Sequence, residues 1–240
     1  MKRPNEKPDL DAWQPKTALG RKVKNKEILS IDELLDSGQP ILEPEIVDAL
    51  LDVEVDLLLI GQAKGKFGGG QRRVFKQTQK KTMEGNKPKF TALAVVGDRN
   101  GHIGFGLGGA KETLPAREKA VRKAKLNLFR IRRGTGSWED ESKEPHSIPF
   151  AVTGKTGSVV IKLMPAPKGK GLVCEKEVAK ALEFAGIKNV WSKSLGQTKN
   201  KINLIKALEK ALRQLSATKI HKHHEKILSI VEGGKKEEAA

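Results

Sequence analysis

Apolar residues along this chain come in short runs separated by glycine- and proline-rich breaks, and their spacing changes from one segment to the next. Pro44 to Leu51 has helical spacing, with Glu43 and Glu45 at the end where a helix dipole favours negative charge. A strand is expected over about Val53 to Gln62. The apolar run Phe90 to Val96 is followed by Gly97-Asp98-Arg99-Asn100-Gly101 and a second run from His102 to Leu107. Asn-Gly between two strand-like runs predicts an antiparallel hairpin, because both residues tolerate the positive φ of a tight turn. A helix is expected from Leu114 to Ile131, capped by Thr113 with Pro115 in its first turn. On it Ala120, Val121, Ala124, Leu128 and Ile131 would share one face, and Lys119, Arg122, Lys123 and Arg130 the other.

The Gly-, Ser- and Glu-rich stretch after Arg133 reads as a connection to a second unit. That unit is expected to hold strands over Ile148 to Thr153 and Ser158 to Met164, a helix near Glu175 to Ala185, a strand over Asn189 to Lys193 and a helix from Lys201 to Leu215. In the last helix Ile205, Leu208, Leu212 and Leu215 form a core stripe. The boundaries expected are an N-terminal extension over 1–42, a first domain over 43–133 with an enlarged basic loop over 63–89, a connection over 134–147, a second domain over 148–218, and a flexible charged tail over 219–240. The fold class is α+β. An α-β-β-β-α order in the first domain is that of double-stranded-RNA-binding modules, and the second domain is an α/β two-layer unit.

Charge sharpens this reading. The chain carries 46 Lys and Arg against 29 Asp and Glu, a formal net charge of +17 over 240 residues. The signs are segregated: nine acids and no Lys or Arg lie between Ile31 and Asp56, whereas between Gly61 and Phe90 nine basic residues stand against Glu84 alone. A second basic block runs from Lys111 to Arg133. A merely solubilising surface would mix the signs, so a polyanion is the expected target. No apolar stretch is long enough for a membrane span, no secretory signal is expected at the N-terminus, and one cysteine permits no internal disulfide. With aromatics at 4%, recognition by shape and phosphate is favoured over base stacking.

Three motifs suggest other chemistry and are set aside. Gly104-Phe105-Gly106-Leu107-Gly108-Gly109 satisfies a dinucleotide fingerprint, but its strand ends an antiparallel hairpin, and Phe129 to Arg133 offers no acid for a ribose. These glycines instead allow close backbone approach, to a helix or to a phosphate chain. Gly154-Lys155-Thr156 lacks the upstream glycine of a phosphate loop, with Pro149 in its place. His221, His223 and His224 have no cysteine near them and read as part of a basic tail. No enzyme, cofactor or metal is expected.

Longer stretches carry a resemblance. Ala94 to Gly108, Ala110-Lys111-Glu112 and Ala124 to Asn127 in the first module, and Glu144-Pro145-His146-Ser147, Val152 to Lys155, Pro165-Ala166-Pro167, Leu182 to Ile187 and Lys193 to Gly196 in the second, resemble small-subunit ribosomal protein five in its archaeal form. Trp13 to Gly20 and Glu43 to Leu51 also resemble the archaeal branch. The resemblance implies a double-stranded-RNA-binding-like first domain and a second domain with a left-handed βαβ crossover. It implies a cytoplasmic, non-enzymatic constituent of the small subunit that binds rRNA near the messenger entrance and decoding neck. Its neighbours would be ribosomal proteins three, four and eight, with messenger at the entry channel, and contact with protein four is the family's link to accuracy.

Three departures qualify it: the stretch over 63–89 is enlarged, cysteines often found after Arg132-Arg133-Gly134 are absent, and Lys170 replaces a usual threonine. The expected RNA-binding residues are Lys64, Lys66, Arg72, Arg73, Lys76, Lys80, Lys81, Lys87 and Lys89 in the enlarged loop. To these are added Arg99, Asn100, His102, Gly106 and Gly108 around the hairpin, and Lys111, Lys119, Arg122 and Lys123 on the following helix. The rival reading is a free double-stranded-RNA-binding regulatory or processing factor.

Overall fold

The computed structural model describes residues 13–63, 70–140 and 142–234. They fall into two compact units, one comprising 13–96 with 104–128 and the other 97–103 with 129–234. The first opens with three short helices, α1 (Ala18–Lys24), α2 (Ile31–Asp36) and α3 (Pro44–Leu50). Strands β1 (Glu54–Leu57), β2 (Lys76–Thr82), β3 (Gly85–Gly97) and β4 (His102–Ala110) follow, then α4 (Thr113–Leu126) and β5 (Leu128–Arg130). The sheet order is β1-β3-β4-β5, with β2 also paired to β3.

The segment over 13–42 is part of the first unit's core. Val23, Ile31, Leu34 and Ile41 are buried together with Ile46, Val47 and Leu128, with Trp13 packed against them. One carboxylate ties the lead-in to this core. Glu43 accepts from Trp13 Nε1 at 3.0 Å, from the backbone N–H of Lys16 at 3.0 Å and from that of Thr17 at 2.6 Å. Burial pushes this carboxyl up, but the bonds from Thr17, Trp13 and Lys16 outweigh it and hold it below its ordinary value. Because the folded value is depressed, the stabilisation is present above the ordinary glutamate pKa and is lost as pH falls through the lowered one. Glu43→Ala strands three donors and is expected to cost about 2 kcal/mol. Chemical denaturation at neutral pH and again below pH 4 checks this: the deficit should be present at neutral pH and shrink on acidification.

Helix α4 is shorter than its periodicity suggested. It starts after Glu112, not Thr113, and ends at Leu126 with Asn127 as C-cap, whose side-chain amide donates to the Phe105 carbonyl at 3.1 Å. Leu128 to Arg130, expected on the helix, instead join the sheet as β5. The stretch over 63–89, expected as a loop, contains all of β2 and the start of β3. Their register runs from Lys76 opposite Thr91 to Thr82 opposite Gly85.

In the second unit β6 (Arg132–Arg133) precedes β7 (Val152–Thr156), β8 (Val159–Pro165), β9 (Leu172–Val173), α5 (Lys176–Phe184), β10 (Val190–Leu195), α6 (Lys201–Ala217), α7 (Lys222–Ile227) and β11 (Val231–Glu232). The sheet order is β7-β8-β10-β9, with β8 antiparallel to β7 and β10, and β9 parallel to β10. Alternation is visible in β8, where Val159, Ile161 and Leu163 are buried and Lys162 is exposed. They meet α6, whose Leu204, Ile205, Leu208, Leu212 and Leu215 are buried. Gly154, part of the apparent phosphate-loop motif, sits in β7 under α6, where a Cβ would lie 1.9 Å from the Ala207 carbonyl oxygen.

The stretch 219–234, expected to be flexible, carries α7 and β11. Strand β11 pairs with β6, and Glu232 takes Arg130 Nε at 3.0 Å and Arg132 Nε at 3.3 Å. Two residues make a weak strand, and these ion pairs supply what the ladder lacks.

Candidate nucleic-acid interface

The β2–β3 ribbon is a consequence of its sequence, KQTQKKT turning through Met83 and Glu84 into GNKPK, with no apolar face to bury. In an antiparallel pair, directly opposed residues point to the same side. The register therefore puts Lys76, Lys80, Lys87 and Lys89 on one face, interleaved with Thr78 and Thr82. The other face carries Gln77, Gln79, Lys81, Asn86 and Pro88. Lys80 stands directly opposite Lys87, an unfavourable like-charge pair. Among the described residues the ion pair on this face is Lys87 with Glu84 at 2.8 Å, both largely exposed and so worth little.

Strand alternation also says which way the lysines point. Farther along β3, Ala92, Ala94 and Val96 pack with Ala120 and Ala124 of α4. Lys87 and Lys89 have the opposite parity, so the lysine face is on the side of the sheet away from α4. A Cβ on Gly109 of β4 would come 3.1 Å from Lys89 Cε, which agrees.

Lys119, Arg122 and Lys123 are exposed on the outer face of α4, behind its buried Ala116, Ala120 and Ala124. Lys111 is exposed just before the helix. The two basic sets therefore occupy opposite layers of the first unit and form two faces, not one patch. Arg73 is exposed, and Arg72 reaches the Gly61 carbonyl at 3.5 Å near the Ala63–Arg72 bridge. Lys64 and Lys66 lie outside the described residues.

Four of the expected contact residues are engaged within the chain. His102 is 1% exposed, and its Nδ1 is 2.6 Å from an Asp98 carboxylate oxygen. Burial pushes the Asp98 carboxyl up, but hydrogen bonds from His102 and from the Asn100 and His102 N–H groups overcome it and hold it below its ordinary value. Asn100 Oδ1 accepts from Arg133 Nη2 at 2.7 Å. In the turn, Arg99 (φ 58) and Gly101 (φ 100) take the positive φ, not Asn100. Gly106 and Gly108 face α4. A Cβ on Gly106 would be 2.1 Å from the Ala120 carbonyl oxygen, and one on Gly108 would be 2.3 Å from the Ala120 nitrogen. Of the two approaches that glycine permits here, it is the helix that comes close.

The sequence signal for this packing is present: glycine at every second position over 104–108 and alanine at every fourth over 116–124. Exposed Arg99 stays at the turn tip, its backbone N–H donating to the Phe184 carbonyl at 3.0 Å. The single thiol, Cys174, is pushed up to about 11 by burial and by Glu175 and Glu183, which disfavours its thiolate at neutral pH.

A small sheet backed by a glycine–alanine helix contact and extended into an exposed lysine ribbon, followed by a second α+β unit, defines a two-unit α+β protein with a cationic surface of the kind that suits a polyanion. Comparison with known proteins narrows that class. Ribosomal protein S5, N-terminal domain, matches residues 60–132, and ribosomal protein S5, C-terminal domain, matches 154–224. The small ribosomal subunit protein uS5 of Nanoarchaeum equitans is 46% identical over 226 residues, 94% of this chain and 97% of that protein. That of Methanocaldococcus jannaschii is 46% identical over 227 residues, with the same coverage of each. That of Methanospirillum hungatei is 47% identical over 205 residues, 85% of this chain and 93% of that protein. The chain belongs to the ribosomal protein S5 family. It is a non-enzymatic protein of the small ribosomal subunit, in the cytoplasm.

Proposed function

We propose that this protein grips small-subunit rRNA chiefly through the lysine face of the β2–β3 ribbon, with the outer face of α4 as a second, separate phosphate-binding surface. The observation that carries the reading is the cross-strand register, which collects Lys76, Lys80, Lys87 and Lys89 on one exposed face and opposes two of them directly. Such an arrangement costs free energy in the isolated chain, and a phosphate backbone supplies the missing counter-charge. Arg73, Lys81, Lys111 and Arg99 add cations at the margins. In the domain scheme proposed, residues 43–133 read RNA shape and 148–218 form the second domain. The family seat near the messenger entrance and decoding neck, with proteins three, four and eight as neighbours and a role in accuracy through protein four, completes the proposal.

Ultraviolet cross-linking of intact small subunits, with mapping of linked peptides and nucleotides, tests it. Peptides over 76–89 and 111–123 should each link to rRNA, at separate nucleotide sites because the two faces lie on opposite layers. Links confined to the second unit would overturn the assignment. A free regulatory factor would link to RNA outside the particle.

A further inference from the structure

We propose that the open face of the second unit's sheet is a further RNA-binding surface, on which Lys155, Lys162 and Lys193 take phosphates of an rRNA strand and Trp191 stacks on one of its bases. Helix α6 covers the other face of this sheet. Val159, Ile161 and Leu163 of β8 point to the helix, as does Gly154 of β7, whose Cβ would meet the Ala207 carbonyl oxygen. Residues of the opposite parity in each strand therefore point away from α6.

The strand register assembles that open face row by row. Lys162 of β8 stands between Thr153 of β7 and Lys193 of β10. One row along, Val160 stands between Lys155 and Leu195. In the row on the other side, Trp191 stands between Met164 and Val173. The three lysines are exposed, Leu195 and Val173 are 54% and 53% exposed, and Trp191 is half-buried. No acid stands in any of the three rows. Lys162 directly opposes Lys193, a second unfavourable like-charge pair across strands. The acids nearest in sequence to this sheet are engaged elsewhere, Glu144 with Lys168 at 2.8 Å and Glu175 with Lys201 at 3.0 Å.

An outer face that served solubility alone would mix the signs. This one carries a single sign, with an aromatic and aliphatic side chains in the flanking rows, so its occupant must bring negative charge and flat apolar surface together. A nucleotide strand brings both, because every base has a π-face and every linkage a phosphate. An acidic polypeptide would answer the lysines but offers the indole no such regular partner. In a protein of the small ribosomal subunit, the strand is rRNA.

The test is independent of the ribbon in the first unit. In the full-length chain, otherwise unaltered, Lys155→Gln, Lys162→Gln and Lys193→Gln together should lower affinity for small-subunit rRNA by one to two orders of magnitude at moderate salt. The log–log salt slope should become shallower by about two to three. All three side chains are exposed, so the urea midpoint of the free chain should be unchanged. Unaltered affinity and slope overturn the proposal, whatever the ribbon lysines do. Trp191→Phe should retain binding and Trp191→Leu weaken it roughly tenfold at an unchanged slope; equal affinities would overturn the stacking. A photo-cross-linker on the same face, Leu195→p-benzoylphenylalanine, irradiated in small subunits purified from cells making that chain, should link to rRNA. A link to protein alone, or no link, overturns the assignment of the face to RNA.

Discussion

Gly106→Val is expected to unfold the first unit, while Gly109→Ala, three residues along the same strand, leaves it intact. The difference comes from which face of β4 each glycine occupies. At position 106 a Cβ would lie 2.1 Å from the Ala120 carbonyl oxygen and 2.2 Å from the Ala124 nitrogen, both helix backbone, so α4 must lift off the sheet. The helix has no small residue left to yield, since its contacts there are already alanines. The loss should reach about 4 kcal/mol or more, the range of severe overpacking combined with a broken core. At position 109 the nearest atom is Lys89 Cε at 3.1 Å, the movable end of a long side chain. There the change should stay within about 0.5 kcal/mol. Urea denaturation followed by circular dichroism checks both, and a Gly106→Val protein with the parent midpoint would refute the packing described.

Changing Lys76, Lys80, Lys87 and Lys89 together to Gln is expected to separate binding from folding. The four side chains are exposed and pack against no core, so the free chain should fold normally. It should gain about 0.2–1 kcal/mol as the Lys80–Lys87 repulsion disappears, offset in part by the loss of the exposed Lys87–Glu84 pair. Affinity for rRNA should fall by roughly two to three orders of magnitude at moderate salt, because four phosphate contacts and the counterions they release are lost. Lys81→Gln alone, on the opposite face of the ribbon, should have a much smaller effect.

The parts of the fold legible in the sequence are those that bury something locally. The hairpin around Asn100-Gly101 and the helices over Lys176–Phe184 and Lys201–Ala217 follow from apolar spacing and turn chemistry, with boundaries moved by a few residues. Strand β2 was not legible, because KQTQKKT exposes both faces and so has no alternation to detect. Its partner β3 holds it in place. Strand β11 depends on ion pairs formed with Arg130 and Arg132, about a hundred residues earlier in the chain, which no local pattern reports. Helices α1 and α2 are six or seven residues each and are stabilised by a core assembled from α3 and Leu128.

The candidate interface was legible as a block of charge but not as a surface. Composition marks 61–90 as basic, yet only the register separates Lys76, Lys80, Lys87 and Lys89 from Lys81. The same limit explains His102, Gly106 and Gly108: a histidine beside a turn and a row of glycines carry the same letters whether they face RNA, an aspartate or a helix.

The central claim is that the lysine face of the ribbon neutralises rRNA phosphates, and the salt dependence of binding tests it most directly. Titrating the parent chain and the four-lysine variant against small-subunit rRNA over a range of salt concentrations yields two log–log slopes. The account predicts that the variant's slope is shallower by about four, near one per lysine removed. Equal slopes, with affinity unchanged, would contradict it.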